Sequence, residues 1–101
     1  IGVRDRAFQL LNLDLARARR AALSPEDGLT LSARGQTIVW QADLSGLTRR
    51  IAWPDGGSLL QTILTEPVEL IAKPRTERGV KLVLPDADVR TVFSLPRGLA
   101  P

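Results

Sequence analysis

The stretch that decides the fold lies at the front of the chain, where residues 3–23 read VRDRAFQLLNLDLARARRAAL. At about 100° per residue, the apolar side chains of this stretch collect on one side of a helix and most polar side chains on the other. We therefore expect one amphipathic helix over residues 3–23. Ser24 and Pro25 should end it, because proline disfavours helical geometry in the residue before it.

Asp14 falls inside the apolar stripe of this predicted helix. An ion pair with Arg17, three residues further on, would keep its carboxylate charged. Its simplest interpretation is a residue at the boundary of the core, and the alternative is a contact with another subunit. Arg19 and Arg20 join Arg17 near the predicted C-terminus, where cations complement the helix dipole without any ligand.

After Pro25 the sequence changes to short runs that alternate apolar and polar residues, separated by turns rich in glycine and proline. Strands are predicted over residues 29–33, 36–42, 47–53, 68–72, 80–84 and 89–95. Residues 58–66 have helical spacing but also fit an irregular crossover. The last two strands should form an antiparallel hairpin, since Asp86-Ala87-Asp88 is short enough for a tight loop.

These elements predict an α+β fold in a single domain, residues 1–101, with one N-terminal helix packed on an antiparallel sheet of about five or six strands. The four aromatic residues all lie in apolar register, and we expect them in the core: Phe8, Trp40, Trp53 and Phe93. None would then serve as a stacking platform for single-stranded nucleic acid.

The composition excludes the commonest kinds of catalytic site. The chain has no histidine and no cysteine, which removes Ser-His and Cys-His nucleophile pairs and zinc or copper sites built from those residues. Phosphate-binding GxxxxGK[ST] and GxGxxG motifs are also missing. Two aspartates, Asp86 and Asp88, are too few for a calcium site and are interpreted as turn residues. We therefore predict that the protein is not an enzyme and that it has no catalytic residue, no bound cofactor and no metal site.

The net charge of +3 comes with twelve arginines against two lysines. A basic excess favours encounters with anionic partners, so DNA is kept as an alternative ligand. The arginines that could contact it are Arg34, Arg49, Arg50, Arg75 and Arg78.

Four segments resemble the minor pseudopilins of type II secretion and related type IV minor pilins. They are the helical stretch LLNLDLARAR at residues 10–19, GLTL at 28–31, TIVWQ at 37–41 and LTR at 47–49. In that family an L-x-x-D-L-x-x-A helix precedes a meander with similar strand patterns. The resemblance covers about the first half of the chain and is closest to the H-type or J-type members.

The resemblance implies a structural subunit that takes part in tip-complex assembly of a secretion pseudopilus and in protein export. Such a protein has an upstream prepilin segment, cleaved and methylated by a prepilin peptidase, whose apolar helix anchors it in the inner membrane. No run in the present chain reaches the roughly 20 apolar residues that span a bilayer, and we expect an upstream segment before Ile1. The present residues would be the periplasmic domain.

Expected partners are other pseudopilins of the same fibre, with secreted cargo as a further candidate. The assembly contacts that we predict lie on the outward side of the helix: Asp5, Arg6, Gln9, Asn12 and Arg19. The alternative function is that of a competence or type IV minor pilin that binds DNA through the surface arginines named above.

Overall fold

The computed structural model of the chain describes residues 2–72 and 79–92. In chain order it contains α1 (Val3–Arg17), β1 (Arg20–Ser24), β2 (Gly28–Ala33), β3 (Gln36–Ala42), β4 (Leu47–Ala52), β5 (Ser58–Leu64), β6 (Glu69–Ala72), β7 (Val80–Leu84) and β8 (Asp88–Val92). Strands β1 to β5 form one antiparallel meander, and β6 to β8 form a second, smaller antiparallel sheet. The α+β class and the N-terminal helix on a sheet are therefore confirmed.

The helix ends six residues earlier than predicted. Ala18 already has extended backbone angles, and the Arg19 N–H donates to the Ser32 carbonyl oxygen at 2.8 Å. Residues 20–24 then pair with β2 as a strand, with Ala21 buried. Apolar residues at 18, 21 and 23 suit both a helix and a strand, and the unpaired edge of β2 decides in favour of the strand. Only Arg17 lies in the last helical turn, so the dipole argument fails for Arg19 and Arg20.

The ambiguous segment after the third predicted strand is a strand, β5, and neither a helix nor a crossover. It pairs antiparallel with β4, with a register shift between Leu47 and Thr48. The turn before it is tight: the Trp53 N–H donates to the Gly57 carbonyl oxygen at 2.8 Å, and the Gly57 N–H donates to Asp55 Oδ1 at 2.8 Å. The sequence Pro54-Asp55-Gly56 is typical of a turn, but the spacing of the residues that follow does not distinguish a strand from a helix.

The predicted single sheet of five or six strands is corrected to two sheets, of five and three strands. The final hairpin is confirmed, since Leu84 pairs with Asp88 around a turn in which Asp86 and Ala87 have positive φ values of 65° and 59°. Residues 73–78, between the fourth and fifth predicted strands, and residues 93–95, at the end of the sixth, lie outside the described residues.

The β3–β4 turn approaches the end of β5 so closely that only glycine fits at position 46. Gly46 has a φ of 151°, and a Cβ there would collide with the carbonyl oxygen of Leu64. Just beyond, the Val68 N–H donates to the Asp43 carbonyl oxygen at 3.0 Å. These contacts tie the start of the small sheet to the large one.

One hydrophobic core joins the helix and both sheets. The helix contributes Ala7, Leu11 and Leu15, while the large sheet contributes side chains from β1 to β5 and the small sheet from β7 and β8. Of the four aromatic residues expected there, Trp40 is fully buried and Phe8 is partly buried against the core. Trp53 is 37% exposed at the end of β4, so its placement in the core is wrong. Phe93 lies outside the described residues.

The helix provides a matched test of this packing. Leu11 is fully buried, whereas Leu13, two residues on, is 44% exposed. Leu11→Ala should lower the free energy of unfolding by about 2–5 kcal/mol, because it removes buried methyl groups and leaves a cavity. Leu13→Ala should cost less than about 1 kcal/mol. Urea unfolding followed by circular dichroism measures both, and equal losses would contradict the described orientation of α1.

Candidate functional site

Asp14 is the most deeply buried charged residue described, with 3% of its surface exposed. Arg49 binds its carboxylate in bidentate fashion: Nε lies 2.6 Å from Oδ2 and Nη2 lies 2.9 Å from Oδ1. The indole N–H of Trp40 also donates to Oδ2, at 2.8 Å. Three charge-assisted hydrogen bonds therefore satisfy a carboxylate that burial would otherwise destabilise.

Three neighbouring strands place the partners of Asp14 in one row. Trp40 in β3 is directly opposite Arg49 in β4, and Arg49 is opposite Gln61 in β5. Paired residues share a face of the sheet, and here that face lies under the helix. Arg49 Nη1 donates to Gln61 Oε1 at 2.8 Å, and the guanidinium carbon lies 5.9 Å from the centre of the Trp40 ring, within cation–π range.

This arrangement corrects two sequence predictions. Asp14 pairs with Arg49 and not with Arg17, and it is a core residue, neither a boundary residue nor a subunit contact. The side chain of Arg49 is only 11% exposed and its guanidinium is bound to Asp14, which disfavours it as a DNA contact. A signal was present in the sequence: Arg49 alternates with the apolar Leu47 and Ile51, which places a cation on the same strand face as the core.

The residues of this site have a structural role. All acceptor and donor groups at its centre are engaged with one another, and no buried side-chain nitrogen or oxygen in the described part of the chain lacks a hydrogen-bond partner. The site contributes by fixing the helix on the sheet at one position.

A double-mutant cycle tests this role. Asp14→Leu leaves the buried guanidinium of Arg49 without its counter-ion and should lower the free energy of unfolding by about 3–5 kcal/mol, and Arg49→Met should cost a similar amount because it leaves the Asp14 carboxylate unpaired. The double variant Asp14→Leu/Arg49→Met removes both charges and should cost less than the sum of these two single changes by about 2 kcal/mol. Urea unfolding monitored by tryptophan fluorescence measures the cycle. Additive losses would show that the two side chains do not interact.

A second, more exposed network surrounds the start of α1. It comprises Arg4, Asp5, Glu66, Asp88 and Arg90, and is called the helix-start cluster below. Arg4 binds Glu66 in bidentate fashion, with Nε to Oε2 at 2.8 Å and Nη2 to Oε1 at 2.6 Å. Its Nη1 also lies 3.2 Å from Asp88 Oδ2.

Arg90 completes the helix-start cluster from β8. It donates to both carboxylate oxygens of Asp88 at 3.2 Å and to Asp5 Oδ1 at 2.6 Å. The cluster therefore links the first turn of the helix to the β5–β6 connection and to the small sheet. Asp88 is ion-paired and half-buried, unlike the solvated turn residue that we expected, whereas Asp86 is exposed as predicted. No group of three or more potential metal ligands occurs among the described residues.

The ion pairs of this cluster shift the pKa values of its members. The hydrogen bond from Arg4 lowers the pKa of Glu66, and that from Arg90 lowers the pKa of Asp88 and of Asp5. The same contacts raise the pKa of Arg4, chiefly through Glu66, and that of Arg90, chiefly through Asp88.

Acid should therefore weaken the fold in a defined pH range. A carboxyl whose pKa is lowered by folding stabilises the protein above its ordinary pKa, about 3.9 for Asp and about 4.3 for Glu, and this stabilisation is lost as the pH falls through the lowered value. The urea concentration at the midpoint of unfolding should decrease when the pH falls below about 4. In Arg4→Gln the midpoint should be lower at pH 7 and should change less with acid. An equally steep acid response in Arg4→Gln would contradict this account.

The predicted assembly contacts are exposed, but one of the five does not lie on the helix. Arg6, Gln9 and Asn12 lie exposed on α1. Asp5 is exposed as well, yet it is held by Arg90. Arg19 is exposed in the connection between α1 and β1, not on the helix.

The predicted DNA contacts are separated too. Arg34 is exposed in the β2–β3 turn, and Arg50 is exposed in the middle of β4, opposite Val39. Arg75 and Arg78 lie outside the described residues. Arg34 is instead grouped with Arg19 and Arg20, which line the same open groove of about 440 Å³. The sequence prediction missed this grouping because it placed Arg19 and Arg20 in the helix.

The chain matches no protein-family model, and comparisons with curated proteins and with solved structures found no match. Among the described residues, no helix has both the length and the apolar character needed to cross a membrane.

Proposed function

We propose that this chain is a structural minor pseudopilin subunit of a type II secretion pseudopilus, of the H-type or J-type, that acts by assembly in the tip complex and not by catalysis. The observation that supports this most is the two-sided character of α1. The inner side of the helix is fixed to the sheet by the Asp14–Arg49 pair. Arg6, Gln9 and Asn12 of the same helix are exposed.

A fixed helix suits an assembly role for a physical reason. Binding costs less when the contacting side chains are already held in place. The Asp14–Arg49 pair holds the C-terminal half of α1, and the helix-start cluster holds its first turn. A helix held at both ends presents its outer residues in a constant arrangement, as a repeated subunit contact requires.

The proposal also implies the cellular location and the partners that such subunits have. The domain would lie on the periplasmic side of the inner membrane, anchored by an upstream apolar helix. Its partners would be other pseudopilins of the same fibre, with exported cargo as a further contact.

Reconstitution with the other minor pseudopilins of the same cell tests the proposal. The purified chain should co-elute with their soluble domains in size-exclusion chromatography. Gln9→Arg/Asn12→Arg should abolish co-elution, because two added cations cannot be desolvated easily in an interface. Thr62→Arg, exposed in β5 on the sheet face away from the helix, is the control and should still co-elute. The proposal is overturned if the wild-type chain does not join the complex, or if Thr62→Arg is as defective as the helix variant.

DNA binding by a competence or type IV minor pilin is the second candidate. The exposed side chains of Arg34 and Arg50 favour DNA binding, whereas that of Arg49 does not, because it is bound to Asp14. Because phosphate contacts release counterions, binding should weaken steeply as salt rises. A fluorescence titration with labelled duplex DNA that shows no binding at low salt would eliminate this candidate.

A further inference from the structure

Positive charge exceeds negative charge at one end of the large sheet, where three exposed arginines lie at the same end as Asp55 of the β4–β5 turn. Arg19 and Arg20 lie where β1 begins, and Arg34 lies in the turn that ends β2. All three are exposed, and they line one open groove together with Ser32 and Thr37. The three arginines are called the basic end below.

Among the described residues, negative charge is concentrated at the opposite end of the same strands. Glu26 and Asp27 form the turn before β2, Asp43 follows β3, and Glu69 begins β6; all four are exposed. Two hydrogen bonds hold these segments together: Gln41 Nε2 donates to the Glu26 carbonyl oxygen at 3.4 Å, and the Val68 N–H donates to that of Asp43 at 3.0 Å. These four residues are called the acidic end. The seven residues of β3 separate the two ends by roughly 20 Å.

The acidic end also contains a groove that an arginine side chain could enter. It has a volume of about 440 Å³ and lies between the β1–β2 turn and β6. Apolar groups of Leu23, Pro25 and Leu70 line it, and Glu69 lies beside them. Arginine buries its aliphatic stem on apolar surface while its guanidinium binds carboxylates, so this groove has the chemistry to receive the basic end.

We propose that copies of this chain associate head to tail, with the basic end of one copy against the acidic end of the next. This inference deepens the proposed assembly function and rests on it. The two surfaces differ, so the contact is heterologous and can repeat along a line without closing into a dimer. Complementary charge would set the orientation of the encounter and speed it.

The first measurement is self-association of the full 101-residue chain by sedimentation velocity. Association should be weak, and its dissociation constant should rise at least tenfold between about 10 mM and about 200 mM salt, since the Debye length falls from about 30 Å to below 10 Å. A chain that stays monomeric at low salt at millimolar concentration would overturn the proposal.

Charge reversal at each end gives a sharper test. Arg20→Glu/Arg34→Glu reverses the charge of the basic end and leaves the acidic end intact, whereas Glu26→Arg/Glu69→Arg neutralises the acidic end and leaves the basic end intact. Neither variant should associate with itself. A 1:1 mixture of the two should form a complex of one copy of each, because the intact acidic end of the first variant can contact the intact basic end of the second. Arg50→Glu, which reverses an exposed charge away from both ends, is the control and should associate like the wild-type chain.

The results of these experiments distinguish between the possible binding partners of the basic end. Loss of self-association in both variants with recovery in the mixture supports contact between copies. A wild-type chain that stays monomeric but binds duplex DNA through Arg20 and Arg34 would assign the basic end to a polyanion and overturn the proposal. Circular dichroism checks that each variant is folded. Self-association that persists in a chain unable to join other pseudopilins would refute the proposed function but not the head-to-tail contact.

Discussion

The contact between Asp14 and Arg49 determines how the helix sits on the sheet. Apolar burial is non-directional, so Ala7, Leu11 and Leu15 would tolerate small shifts of α1 along the strands. A buried carboxylate does not, because any shift that breaks its bonds leaves two desolvated charges. The bidentate geometry, the Trp40 N–H and the Gln61 amide together satisfy the pair at one helix position. The pair therefore fixes the position of the helix along the strands, whatever its net effect on the free energy of unfolding.

A second constraint acts ten residues earlier in the helix, roughly 15 Å away. Arg4 and Arg90 hold the first turn through exposed or half-buried carboxylates, and salt and acid both weaken such pairs. The Asp14–Arg49 pair is buried and is screened much less. The two ends of α1 are thus fixed by contacts of different sensitivity to pH and salt, and we expect the first turn to loosen before the rest of the helix when either changes.

Local patterns were sufficient for much of the fold, and they failed where distant residues decide. Alternating apolar residues and turn residues predicted β2, β3, β4 and the final hairpin, because each depends on its own sequence and its immediate neighbour. Residues 18–24 have apolar spacing that suits both a helix and a strand, and the exposed edge of β2 settles the matter. Residues 58–64 become a strand because β4 offers a partner. At the site, Asp14 was recognised as unusual, but its partner lies 35 residues away, and no local rule connects the two.

Association through the ends of the strands differs physically from association through their edges. An edge strand attracts a partner only at hydrogen-bonding distance, and such pairing risks aggregation. Charged groups act over a Debye length and orient a partner before contact. The edge strand β1 begins with an exposed arginine, which opposes pairing of identical edges. The exposed arginines at one end outnumber Asp55, while Glu26, Asp27 and Asp43 lie at the other end. A neighbour that approaches in line is therefore attracted, while one that approaches with the same end forward is repelled.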